Sequence, residues 1–367
     1  MSEPAQGWLR SPGPSDGRTG AAPAPGTWPA QPPRQSGSIP GHRVRPPRAR
    51  WPRPRTVVAI LAAVVVLLAA AGAGGYVYLN SKLNRSVALP AYSGQSAGQN
   101  WLIAGSDSRQ GLSSRQIISL HVGRDFGTEN SDSLMLLHIG GGRPVLLSIP
   151  RDSYVPIPGY GSNKINAALG FGGPALLIKT VENVTGLRIN HYMGIGFGGL
   201  VRVVDQVGGV RICLPAALHD TDSGVNLSAG CHNLNGAQAL EFVRDRHSFA
   251  VEDLQRIEDQ RAFLKALLRK ATSPGVYLNP FTALPFASSA ASSISVDRGT
   301  DLYDLIKVAS ALRDPLTGTV PVADANYLTA NAGDALLWNR SEALRLFGAL
   351  KNDQQVPANL LSGTRIG

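Results

Sequence analysis

The chain has 367 residues, a formal net charge of +10 and two cysteines. That length accommodates one large domain with appendages, or two domains. The charge is not spread evenly: residues 1–55 hold nine Arg, no Lys and only Glu3 and Asp16, so seven of the ten net positive charges lie there. The same stretch holds 13 of the 26 Pro and almost no branched aliphatics, too little apolar surface to offset the entropy of ordering it. The rest of the chain is therefore only mildly basic. No DNA-binding motif occurs in it, and nucleic acid is not expected as a partner.

Residues 57–79 are apolar or small without a single charge, enough for one membrane-spanning helix. Six of the nine Arg fall between Arg43 and Arg55, immediately before it. Positive charge stays on the cytoplasmic side, so residues 1–55 are expected inside as a disordered tail and the chain after about Lys82 outside. A cleaved signal peptide fits less well, because its apolar core would be shorter and nearer the first residue. Residues 56–79 read as the span, 80–98 as a linker, 99–350 as one exported domain and 351–367 as a tail. Cys213 and Cys231 both fall in the exported part, where a structural disulfide persists. No CxxC spacing suggests redox catalysis.

Residues 101–104 form a short apolar strand that runs into Gly105-Ser106-Asp107-Ser108-Arg109. The next apolar strand, 133–139, starts from Asn130-Ser131-Asp132, and Gly140 to Gly142 turns the chain into a third, 144–149. That strand delivers Arg151 and Asp152, followed by an irregular Pro/Gly run over 155–161 and then Asn163, Lys164 and Asn166. In an antiparallel arrangement the end of one strand and the start of the next share an edge, so Asp107, Asp132 and Asp152 can meet there. Carboxylates brought together repel unless cations intervene, and oxygen-only ligands suit Mg²⁺ or Mn²⁺. Taken singly, each of the three is an ordinary turn aspartate.

Helices are expected over 174–184 and 197–207, with a strand at 191–195 between them and another at 210–214. Residues 215–234 read as a long polar connection closed by the cysteine pair. Asn235 caps a helix through Val243 that leads into Arg244-Asp245-Arg246-His247. A further helix, about 251–271, carries Arg256 and Gln260 on one face. Arg244, Arg246 and Arg256 are guanidinium groups suited to planar, bidentate partners such as phosphate, or else form a solvated cluster at helix ends. The last third, from residue 272, reads as two amphipathic helices, 301–312 and 340–350, with a strand at 317–322. It packs on the same sheet and offers nothing chemical.

These residues, in this order, resemble the LytR–CpsA–Psr family of cell-envelope proteins. The likeness runs from about Asn100 to Ala271, and more loosely to about residue 350. Its most specific element is the run 148–168, SIPRDSYVPIPGYGSNKINAA. The resemblance implies an α/β/α sandwich with a mixed central sheet after a single transmembrane helix. It implies transfer of a glycopolymer from a polyprenyl-pyrophosphate carrier to peptidoglycan through a phosphodiester. Carried over by position, Arg151, Arg244, Arg246 and Arg256 grip the pyrophosphate with Lys164, Asn166 and Gln260. Asp107 and Asp132 hold Mg²⁺, Arg109 and Asp152 support the site, and apolar side chains between Leu176 and Val207 line a lipid tunnel. Asp107, Asp132 and Arg151 are the expected catalytic residues. The family's usual Arg is replaced here by Asn130 before Ser131-Asp132 and by Asp259 before Gln260. Those departures keep two alternatives open, a non-catalytic polyprenyl-phosphate-binding module and a pyrophosphatase. Teichoic acid, arabinogalactan and capsule all remain open as the polymer.

Overall fold

The structure is a computed structural model that describes residues 54–110, 112–120, 122–123, 129–245, 252–277 and 279–361. The basic tail expected over 1–55 lies outside these residues except for its last two. Helix α1 (Pro54–Ser81) is apolar or small from Val57 to Leu79. Its stretch Val57–Ser81 is long and apolar enough to cross a membrane.

The elements that follow, in order, are β1 (Asn84–Val87), β2 (Gln99–Ser106), α2 (Ser114–Ser119), β3 (Ser131–Ile139), β4 (Val145–Ile149), β5 (Tyr154–Ile157) and β6 (Gly161–Lys164). Then come α3 (Ala167–Thr185), β7 (His191–Ile195), α4 (Phe197–Gln206), β8 (Val210–Leu214), β9 (Leu218–His219), β10 (Asn226–Leu227), β11 (Gly230–Leu234) and α5 (Gly236–Arg244). The carboxyl-terminal part holds α6 (Glu252–Ala271), α7 (Pro274–Tyr277), α8 (Pro280–Ser293), β12 (Ile294–Asp297), α9 (Leu302–Ala311), β13 (Leu316–Thr319), β14 (Val322–Thr329), β15 (Gly333–Trp338), α10 (Arg340–Lys351) and α11 (Ala358–Leu361).

Seven strands form one mixed sheet in the order β1-β12-β7-β2-β3-β4-β13. β2 is antiparallel to β3 and β3 to β4, whereas β2–β7 and β4–β13 are parallel. β12 is antiparallel to β7. The carboxyl ends of β2, β4, β7 and β13 therefore share one edge with the starts of β3 and β12. The central strands are apolar on both faces, as strands covered on both sides must be. Leu102, Ala104, Leu134, Leu136 and Leu147 face Leu177 and Val181 of α3 and Phe347 of α10. Trp101, Met135, Leu137 and Leu146 face Val308 of α9 and Leu264 and Leu268 of α6. This is the expected α/β/α layering.

Local sequence sets the helix ends. Asn235 and Asp301 cap α5 and α9, each in a capping box with the residue three positions on. The helix expected from Pro174 starts earlier, at Ala167, and kinks where Gly173 adopts φ 67°. Pro174 then opens the longer segment, where its missing N–H costs nothing.

Several readings need correction. The stretch 80–98 carries β1, an edge strand with Val87 buried, rather than a bare linker. The Pro/Gly run after Asp152 is a two-stranded hairpin, with Tyr154 paired to Lys164. The connection 215–234 contains β9, β10 and β11, and it joins the domain through β8–β11 pairing. Cys213 and Cys231 are directly opposed in that pairing and form the disulfide, Cα to Cα 3.9 Å. β13 ends at Thr319 and β14 starts at Val322, so the single strand expected over 317–322 is two. Past residue 351, α11 packs its buried Leu360 into the core, so ordered structure continues into the expected tail.

Candidate functional site

The strand arithmetic places Asp107, Asp132 and Arg151-Asp152 at one edge of the sheet. Asp107 is the first residue past β2 and is fixed twice to the start of β3. Its N–H donates to the Asn130 carbonyl (3.1 Å), and its Oδ1 accepts the Asn130 N–H (2.7 Å). Asp132 is the second residue of β3. Arg151 Nη1 lies 3.0 Å from Asp132 Oδ1, and its Nε lies 3.3 Å from Asp152 Oδ2. Lys164, at the end of the hairpin, places Nζ 3.1 Å from Asp152 Oδ1.

The hairpin is tied down by the Asn166 N–H to the Arg151 carbonyl (3.2 Å) and the Ile165 N–H to the Ser153 carbonyl (2.8 Å). Asn166 sits at the start of α3 without a side-chain cap bond. The result is an alternating row, Asp132–Arg151–Asp152–Lys164, with side chains 18–26 % exposed. Partly solvated pairs of this kind contribute about 0.2–1 kcal/mol each. Their main effect is to hold the cations in place.

A second group of cations and donors arrives from the helices. Arg244 is the last residue of α5, where the helix dipole favours a cation. Its guanidinium lies 5.4 Å from the centre of the Phe197 ring, and Nη1 donates to the Leu120 carbonyl (3.3 Å). Gln260 on α6 donates from Nε2 to the Val243 carbonyl (3.3 Å), joining α6 to the end of α5. Arg109 donates Nε and Nη2 to the Val122 carbonyl and so fastens the loop past β2. Arg246 lies outside the described residues. Arg256 lies in α6, but its side chain is outside the described set.

Below this polar rim is an apolar cavity of ≈ 190 Å³. Its walls include Met135, Met193, Phe263, Leu264 and Leu267, and Asp132, Arg244 and Gln260 also line it. The expected lipid-facing stretch is only partly there. Met193, Ile195, Phe197 and Leu200 line the cavity, while Leu177 and Val181 are buried in the core on the other face of the sheet. α3 packs on the sheet face away from the cavity, a distinction that hydrophobicity alone does not carry.

Burial pushes the Asp107 carboxyl above the ordinary range, and Asp132 and Glu129 add to the push. The Asn130 N–H and Arg109 oppose it without cancelling it. A carboxyl whose ionisation is made costly by burial and by a neighbouring carboxylate, among oxygen donors and with no His or Cys in a cluster with it among the described residues, fits a hard divalent cation. Among the described residues no group of three or more His, Cys, Asp or Glu forms a metal cluster. Any ion here would keep most of its water, as Mg²⁺ does.

The sequence reading missed Arg261. Its Nε donates to Ser148 Oγ (2.9 Å), and Nη2 donates to Thr319 Oγ1 (2.7 Å) and the Gly318 carbonyl. It thus clamps the ends of β4 and β13 beside the site. Its position next to Gln260 was the only available signal. Glu129, whose Oε1 accepts the Ser108 hydroxyl (2.7 Å), was missed because it precedes the recognisable strand start.

Residues 77–330 match the LytR_cpsA_psr family. A probable cell wall biosynthesis protein LcpB of Corynebacterium glutamicum is 45 % identical over 278 residues, which is 75 % of this chain and 66 % of that protein. A polyisoprenyl-teichoic acid–peptidoglycan teichoic acid transferase TagU of Oceanobacillus iheyensis is 39 % identical over 158 residues, 41 % of this chain and 49 % of that protein. The chain thus spans roughly half to two thirds of the length of these relatives. Among solved structures, the LytR-Csp2A-Psr enzyme from Actinomyces oris superposes with a TM-score of 0.57 at 21 % identity, covering 74 % of this chain and 96 % of that one. At that identity the likeness concerns the fold alone.

Proposed function

Because the chain belongs to the LytR–CpsA–Psr family, we propose that it transfers a glycopolymer from a polyprenyl-pyrophosphate carrier to peptidoglycan, forming a phosphodiester. The observation that carries this reading is the Asp132–Arg151–Asp152–Lys164 row beside an apolar cavity that Arg244 and Gln260 also line. A lipid pyrophosphate has both halves, a charged head and an apolar tail, and the site offers a match to each.

Arg151, Lys164, Arg244 and Gln260 donate to the pyrophosphate oxygens, joined by Arg246, Arg256 and Asn166 by position in the family. Asp152 and Arg109 hold these donors and their loops in place. A peptidoglycan hydroxyl attacks the phosphorus that carries the glycopolymer. The bond from that phosphorus to the bridging oxygen breaks, and polyprenyl phosphate leaves with the electron pair. The hydroxyl proton passes to one of the two carboxylates, Asp107 or Asp132. Mg²⁺ or Mn²⁺ held by Asp107 and Asp132 would neutralise charge developing on the phosphates.

The charge before α1 supports a cytoplasmic amino terminus and an external catalytic domain, anchored by a single pass. The disulfide fits that side of the membrane. A second reading, polyprenyl-phosphate binding without transfer or simple pyrophosphate hydrolysis, rests on Asn130 and Asp259 standing where the family resemblance expects Arg.

The test uses the full chain in detergent with Mg²⁺, a short lipid-pyrophosphate-linked saccharide and peptidoglycan fragments. The phosphodiester product is expected by mass spectrometry and is expected to vanish with EDTA. Release of polyprenyl phosphate without linked product, across several donors, would instead support hydrolysis. Bound lipid with no release would support the carrier.

A further inference from the structure

A second cavity, of ≈ 230 Å³, lies against β7 and β12, between the start of α3, the start of α4 and the end of α8. Its lining is the chemical opposite of the first. Ser106, Ser108, Gln110, Glu129, Arg202 and Ser295 all contribute polar groups. Leu169, Pro174 and Tyr192 place it on the sheet face opposite α6 and α9. The two cavities share a wall made by Ser106, Ile195, Gly196 and Ile294. Ser106 and Ser108 flank Asp107, so the polar cavity reaches the sheet edge where the carboxylates and Arg151 meet.

We propose that this polar cavity is the subsite for the sugar unit of the acceptor, the saccharide whose hydroxyl attacks the phosphate. The inference rests on the transferase reading and adds where the second substrate sits. Three observations carry it. The first is the kind of donor and acceptor present. One carboxylate, one guanidinium, two amides and several hydroxyls match the mixed hydrogen bonding of an uncharged polyol. A phosphate would be repelled by Glu129, and a lipid tail would find little apolar wall.

The second observation is preorganisation. The Glu129 carboxylate is held by the Ser108 hydroxyl at 2.7 Å, and Arg202 Nε donates to Ser293 Oγ at 3.2 Å. Backbone closes the walls at two glycines. A Cβ on Gly196 would stand 2.9 Å from the Ser108 carbonyl, and one on Gly199 would stand 2.4 Å from the Ser293 carbonyl. The third is size. The volume falls below the roughly 300–1,000 Å³ of pockets for drug-sized ligands, which suits a single sugar ring rather than a polymer.

The experiment uses full-length protein in detergent and a soluble peptidoglycan disaccharide as the probe. Saturation-transfer NMR reads binding without any donor, and steady-state transfer reads the KM of each substrate separately. The variants are Glu129→Gln, which keeps the shape and a partner for Ser108, and Ser292→Trp, which adds bulk at the rim. Unchanged thermal midpoints establish that both fold. The expected result is disaccharide binding to wild type and to Arg151→Ala, and at least tenfold weaker binding to both cavity variants. The acceptor KM should rise by the same factor with the donor KM unchanged.

A raised donor KM with an unchanged acceptor KM would assign the cavity to the donor's sugars and overturn the proposal. So would wild-type protein that does not bind the disaccharide, or variants that bind it normally. Disaccharide binding that depends on Glu129 in a protein that never transfers would refute the transferase reading and leave the sugar site standing.

Discussion

The two edges of the central sheet use polar residues in opposite ways. At the edge opposite the site, Asn100 and Asp297 are buried and each has several fixed partners. Asn100 is 0 % exposed and donates Nδ2 to the Arg188 carbonyl and Ser96 Oγ, so its Oδ1 accepts from His138 Nδ1 (2.8 Å). Asp297 is 1 % exposed and accepts from the Tyr192 N–H, the Thr300 hydroxyl, the Gly299 N–H and His191 Nδ1. At the site edge the charges stay partly wet, like charges come close, and Asp107 is pushed up while Asp297 is held down. The first arrangement stabilises the fold. The second keeps groups available for a ligand at some cost in stability, the usual signature of a functional site.

The comparison breaks most sharply with Arg151→Ala. Losing the central cation of the row should lower transfer by about 100-fold or more, as removal of one transition-state donor does elsewhere. The fold should survive, since the pairs lost are partly exposed and contribute about 1 kcal/mol or less each. Transfer near the wild-type rate would remove Arg151 from the reaction.

Away from both edges, replacing Cys213 and Cys231 together with Ser should destabilise the protein by about 3 kcal/mol, given a loop of 18 residues. A denaturant midpoint measured under oxidising conditions checks it. No change would mean that the β8–β11 pairing holds without its cross-link.

At the opposite edge, Asp297→Asn should cost about 2–3 kcal/mol, because the new amide puts a donor where the carboxylate accepted several. Burial raises the Asp297 carboxyl, but bonds from His191, Thr300 and the Tyr192 N–H outweigh it and hold the group below its ordinary value. Its contribution is therefore present above the unfolded value of about 3.9 and lost as pH falls through the folded one. The destabilisation should be measurable near neutral pH and fade in strong acid. Transfer at saturating substrate should be nearly unchanged.

This contrast also explains what could be read from the sequence. β2, β3 and β4 were legible because their central residues are buried on both faces, which gives short unbroken apolar runs between turn residues. The meeting of Asp107, Asp132 and Asp152 followed from strand ends alone. β1 and β12 were not legible. Asn84-Arg85-Ser86-Val87 and Ile294-Ser295-Val296-Asp297 are short, half-polar segments, and pairing between distant parts of the chain makes them strands. α8 holds Pro280, Pro285 and many Ser and Ala, a composition without a clear apolar stripe. The polar cavity was invisible for the same reason, since its lining comes from segments scattered between Asn84 and Ser295.

The smallest expected effect tests the site edge from the other side. The folded carboxyl of Asp107 lies above its unfolded value because of burial first and of Asp132 and Glu129 next. Ionising it therefore weakens the native state at every pH above the folded value. The penalty shrinks as pH falls and is gone below about 3.9, where both states are protonated. Asp107→Asn removes the charge and leaves an oxygen to accept the Asn130 N–H. In metal-free buffer at neutral pH the variant should be more stable than wild type. The difference should close on acidification, the reverse of Asp297→Asn in sign. Adding Mg²⁺ should stabilise wild type and leave the variant behind, provided the two aspartates share the ion. A destabilised variant at neutral pH would show that Asp107 belongs with the satisfied polar groups of the other edge and is not held ready for a cation.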